Sequence, residues 1–98
     1  MAKQVNVSVR LNARAGKEER LRYALKQLIG PTRKEVGCIS YHFYQSVNNK
    51  AIFISHEIWE SQEAFEAHLQ TPYIIAMEDA GADLLTQPLE ITIMEAIE

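Results

Sequence analysis

The chain has 98 residues, 47% apolar and 23% charged, with a net charge of −3. That length suits one compact domain over residues 1–98, with the composition of an ordinary soluble globular protein. No basic stripe marks a nucleic-acid surface, and the apolar runs are far too short to span a membrane.

The opening "MAKQVNVSV" has no apolar stretch followed by a small-residue cleavage site, and the single cysteine cannot form an internal disulfide. A cytoplasmic protein is therefore expected. Val5, Val7, Val9 and Leu11 then alternate with Gln4, Asn6, Ser8 and Arg10, which predicts a half-buried strand. From Lys17 the apolar residues fall at Leu21, Ala24, Leu25, Leu28 and Ile29, one stripe of a helix. Gly30-Pro31 is expected to kink or interrupt it, and Gly37 to stop it.

"CISYHFYQS" reads as a second strand, with Ile39, Tyr41 and Phe43 on one face and Cys38, Ser40, His42 and Tyr44 on the other. "VNNK" supplies a turn, and "AIFISHEIW" returns as the third strand of a hairpin. Its faces are Ile52, Ile54, His56 and Ile58 against Phe53, Ser55, Glu57 and Trp59. Ser61 can cap the next helix, where Phe65, His68 and Leu69 share a face. Thr71-Pro72 ends that helix and starts another, which Pro88 stops. Leu89, Ile91 and Ile93 alternate with Glu90 and Thr92 as the fourth strand.

The order β-α-β-β-α-β, with the second helix split, is that of a ferredoxin-like α+β sandwich with helices on one face of an antiparallel sheet. The other face must meet water or a partner. Strand two carries apolar side chains on both faces and a domain this small has a limited core, so a homodimer pressing sheet against sheet is expected.

The chain contains no phosphate-cradling glycine loop, dinucleotide fingerprint, His-Glu-x-x-His helix or serine-hydrolase elbow. Cys38 reads as a small buried hydrophobe at a strand start rather than a nucleophile. The spacings of His42, His56 and His68 match no ligand motif, so no metal site is expected. His68 faces the sheet and is either a satisfied structural histidine or a hydrogen-bonding group of a pocket. Trp59 either fills the core or walls a cavity between sheet and helix. Glu57 shares its strand face, and periodicity alone does not say whether that face points inward.

Read in order, Gly37, Cys38 and Tyr41, then Glu57 and Trp59, then Ala67, His68, Leu69, Thr71 and Pro72 resemble the antibiotic biosynthesis monooxygenase family, in its small stand-alone quinol monooxygenase-like branch. "ARAGKEERL" is similar to the family's entry to the first helix, with Ala15 in place of a proline. The resemblance implies a dimeric α+β barrel with a pocket in each subunit. It implies oxidation of quinols or related electron-rich aromatic compounds by molecular oxygen, with no metal or flavin cofactor. Trp59 and His68 would be the catalytic pair, as pocket wall and as proton acceptor or substrate hydrogen-bonder. Ser55, Phe65 and Tyr41 would contact substrate. Ser55 and Phe65 stand where an aromatic-ring-oxidising branch has asparagine and tyrosine. The segment "YIIAMEDA" lacks the histidine that haem-degrading relatives use. Other relatives are non-oxidative, so a metabolite-binding module, or an isomerase or hydrolase of a small signalling molecule, stands as the alternative.

Overall fold

The computed structural model describes residues 3–98. Its elements are β1 (Val5–Asn12), α1 (Glu18–Arg33), β2 (Cys38–Gln45), β3 (Ile52–Trp59), α2 (Gln62–Leu69), α3 (Pro72–Leu84) and β4 (Glu90–Met94). The strands form one sheet in the order β2-β3-β1-β4, every neighbouring pair antiparallel. This is the ferredoxin-like α+β arrangement. Val7, Leu11, Tyr41, Phe53 and Trp59 of the sheet form one buried cluster with Leu21, Leu25 and Leu28 of α1, Phe65 of α2, and Ile74 and Met77 of α3. Burying each such side chain is worth roughly 1.5–3 kcal/mol. The face of β3 carrying Phe53, Ser55, Glu57 and Trp59 is therefore the inner one. Among the described residues no helix is long and apolar enough to cross a membrane.

Helix α1 buries Leu21, Leu25, Leu28 and Thr32, a spacing that keeps one stripe against the sheet. Glu18 and Glu19 in its first turn and Arg33 in its last complement the helix dipole. The expected interruption at Gly30-Pro31 does not occur, because the helix runs on to Arg33. Pro31 removes one intrahelical bond, the one its own N–H would make to the Gln27 carbonyl, and Gln27 is exposed, so water can serve that carbonyl. The terminus is closed instead by short-range bonds from the Lys34 and Glu35 N–H groups to the Pro31 and Thr32 carbonyls. Arg33 donates from Nε and Nη2 to the Tyr41 carbonyl, tying the helix end to β2.

Gly37 is not the helix stop either. It lies in the turn entering β2, with φ of 90°. A Cβ there would meet the Ala64 Cβ at 2.5 Å, so α2 approaches too closely for any side chain. One residue later β2 departs from strict alternation. Cys38 pairs with Trp59 and Ser40 with Ile58, leaving Ile39 as an extra residue in a β-bulge. The bulge turns Cys38 to the inner face, with Tyr41 and Phe43, and leaves Ile39 exposed. This reverses the faces that simple alternation gave to Cys38 and Ile39.

Ser61 and Thr71 cap α2 and α3 by accepting from the Ala64 and Ile74 N–H groups, and Pro72 opens α3. Helix α3 stops at Leu84, well before Pro88. Leu85 leaves it to bridge with Ala13, while the Thr86 N–H donates to the Asn12 carbonyl. In β4, Ile91 and Ile93 are in register with Val9 and Val7 and so share the inner face. They are nonetheless 42% and 50% exposed, so this margin of the inner face lies open.

Candidate functional site

A cavity of about 240 Å³ lies between the inner face of the sheet and helices α1 and α3. Leu25, Leu28, Phe43, Ile74 and Met77 give it apolar walls, and Val9 and Ile91 line it from β1 and β4. Its polar lining comes from Tyr41, Glu57, Gln70 and Glu78. The last two are exposed and mark the mouth, whereas Tyr41 and Glu57 are each 2% exposed and lie at depth.

Strand alternation places Glu57 between Ser55 and Trp59 on the inner face, and both neighbours bond to it. Ser55 Oγ donates to Glu57 Oε2 at 2.8 Å, and Trp59 Nε1 donates to Glu57 Oε1 at 2.9 Å. Ser55 Oγ also accepts the Val9 N–H at 2.9 Å. That bond stands in for an interruption of the β1–β3 ladder, which pairs Val7 with Glu57 and resumes only at Arg10 with Ile54. A buried carboxylate is costly unless satisfied. Here each oxygen has a donor, and further acceptor sites remain for a group in the cavity.

Behind this carboxylate lies a closed aromatic cluster. The Trp59 ring is 4.7 Å from that of His68 and 6.2 Å from that of Phe65, and Tyr41 meets His68 edge-on at 5.6 Å. His68 Nδ1 donates to Glu35 Oε2 at 2.8 Å, and the Tyr73 hydroxyl donates to the same oxygen. Glu35 thus joins the loop after α1 to the α2–α3 junction. Burial pushes the Tyr73 phenol up to about 12, reinforced by its bond to Glu35 and the Glu35 charge. Burial, then the Glu57 charge, holds the Tyr41 phenol far above the usual range, so it is neutral at ordinary pH. The Cys38 thiol is also pushed up, by burial and by the charges of Glu35 and Glu57, the opposite of what a nucleophilic thiolate needs.

Of the five residues singled out from sequence, Tyr41 lines the cavity. Ser55, Trp59, Phe65 and His68 are buried behind it, connected to it through Glu57 and Tyr41. Pattern reading leaves the direction of Glu57 open and passes over Glu35 and Tyr73 as members of the His68 hydrogen-bond network. For Glu57 a signal existed, since it shares a face with Phe53 and Trp59. For Glu35, in a charged loop sequence, there was none. Among the described residues, no group of three or more His, Cys, Asp or Glu is placed to hold a metal ion.

Residues 4–80 match the family model described as antibiotic biosynthesis monooxygenase. The chain belongs to that family. An uncharacterized protein of Synechocystis, sll1783, is 34% identical over 92 residues, which is 94% of this chain and 63% of the relative. The chain therefore spans under two thirds of that protein's length. Rv0793 of Mycobacterium tuberculosis, provisionally named a monooxygenase, is 30% identical over 98 residues, 100% of this chain and 96% of its own. Its solved structure superposes with a TM-score of 0.90, covering 98% of this chain and 97% of that one. PA3566 of Pseudomonas aeruginosa, 24% identical, shares the fold with a TM-score of 0.92, covering 100% and 98% of the two chains.

Proposed function

We propose that this family member is a cofactor-independent monooxygenase of quinols or related electron-rich aromatic compounds, with the 240 Å³ cavity as its substrate site. The observation that carries the reading is an apolar cavity with one buried carboxylate, Glu57, held by donors on both oxygens. A phenol ionised in such a place becomes the electron donor to molecular oxygen, and the protein need only bind the ring, take a proton and exclude water. In an anthrone-type substrate the reacting carbon loses two hydrogens and gains one oxygen atom. The second oxygen atom leaves as water, so one O₂ is consumed per turnover.

In this scheme Glu57 accepts the phenolic proton. Ser55 and Trp59 are positioning residues that fix its two oxygens. Tyr41 forms part of the floor as a neutral phenol. His68, braced by Glu35, packs on Tyr41 and Trp59 and acts through them, and Phe65 fills the space behind. The protein is proposed to be a cytoplasmic single domain and a homodimer joined through the outer sheet face. Ile39, Tyr44 and Ile54, at 50%, 59% and 39% exposed, support that surface. Turnover of a panel of anthrones and quinols under ¹⁸O₂ tests the chemistry. One labelled oxygen in each product molecule is expected. Turnover that continues without oxygen, or product free of label, would refute it.

A further inference from the structure

The cavity carries acidic groups and no basic one. Its ionisable lining consists of Glu57 at depth, Glu78 at the mouth and Tyr41, and no Lys, Arg or His lines it among the described residues. Tyr41 is neutral, for the reasons given above. Helix α1 contributes only Leu25 and Leu28, and the α2–α3 junction adds the uncharged Gln70 amide. Arg14 lines an adjoining groove that shares Met77, Glu78 and Leu89 with the cavity, but it does not line the cavity itself, and as an exposed side chain its charge is screened by water.

We infer that the site admits uncharged hydroxylated aromatic compounds and turns away carboxylated ones, with Glu57 and Glu78 setting that selectivity. The inference rests on the reading of the cavity as the substrate site. When Glu57 takes a phenolic proton, its negative charge passes to the substrate, so the cavity holds one such charge before and after the step. A carboxylated substrate brings a second into the same small apolar volume, where no cation offsets it. Glu78 opposes the same anion at the entrance, in water, where added salt weakens the effect.

Anaerobic titration calorimetry with naphthalene-1,4-diol and 1,4-dihydroxy-2-naphthoate at neutral pH tests this. The diol should bind at least tenfold more tightly than the carboxylate. Glu78→Lys, a change at an exposed position, should narrow the ratio of the two affinities at least threefold. A carboxylate that binds as tightly as the diol, or failure of both to bind, overturns the inference. A gap untouched by Glu78→Lys overturns the assignment to Glu78. Oxygen uptake on the diol is recorded separately. A charge preference without uptake leaves the selectivity standing and removes the oxygenase reading.

Discussion

Ser55 has a small side chain with two duties, accepting the Val9 N–H and donating to Glu57. Ser55→Ala takes the bond from the half-buried Val9 N–H and from the buried Glu57 Oε2, and each group left unmet costs about 1–3 kcal/mol. The variant should lose roughly 2–6 kcal/mol in urea unfolding, with little change in the denaturant slope. A loss under 0.5 kcal/mol would mean that water or a rearranged strand takes over both bonds. Tyr73 makes a separate prediction. Folding raises its pKa from the 10.0 of a free tyrosine to about 12, so the neutral phenol is the form that folding favours. The stability it contributes is complete below pH 10 and is lost as pH rises from there through 12. Tyr73→Phe should flatten that part of the stability–pH curve relative to wild type. Parallel curves through this window would contradict the Glu35–Tyr73 bond.

The elements were legible where a local period decides. The Val5, Val7, Val9 and Leu11 alternation and the Leu21, Leu25 and Leu28 stripe both lead to observed elements. Local pattern fails where a neighbour in space decides. The bulge at Ile39 reverses two side chains because β2 must follow the register of β3 and the turn at Gly37 must clear Ala64. Gly37 was recognisable as a left-handed residue, but not as the site where α2 closes on the sheet. Gly37→Ala combines an unfavourable backbone conformation, about 1–2 kcal/mol, with overpacking of about 1–3 kcal/mol. A thermal shift matching a loss of roughly 2–5 kcal/mol is expected. Adding Ala64→Gly, scored against Ala64→Gly alone because glycine in a helix itself costs about 0.5–1 kcal/mol, should recover the overpacking part only. Full recovery would place the whole cost in the contact, and no recovery would place it in the backbone.

At the scale of the molecule, the α+β order could be read from the sequence, but the wiring of the site could not. Glu35 and His68 stand 33 residues apart and meet only because α1, α2 and β2 converge. No periodicity encodes that pairing, so His68 read alone pointed to a pocket that it supports from behind. Likewise Glu57 shared a face with Trp59 in the pattern, but only packing settled which face was inward. The exposed Ile39, Tyr44 and Ile54 lead to a whole-molecule prediction. Light scattering should give a dimer at micromolar concentration, and Tyr44→Glu with Ile54→Glu should give a folded monomer. A wild-type monomer would contradict the proposed dimer while leaving the cavity account intact.

The central claim is that Glu57 takes the substrate proton in the cavity. Its most direct test is the initial rate of oxygen uptake on a quinol, above the rate without enzyme, for wild type and Glu57→Gln. Glutamine keeps the size of the side chain and removes the base. A general base contributes about 10²–10⁴-fold, so the variant should fall at least a hundredfold in kcat and remain folded with substrate still bound. Equal rates for the two proteins, or no wild-type uptake above background, would contradict the account.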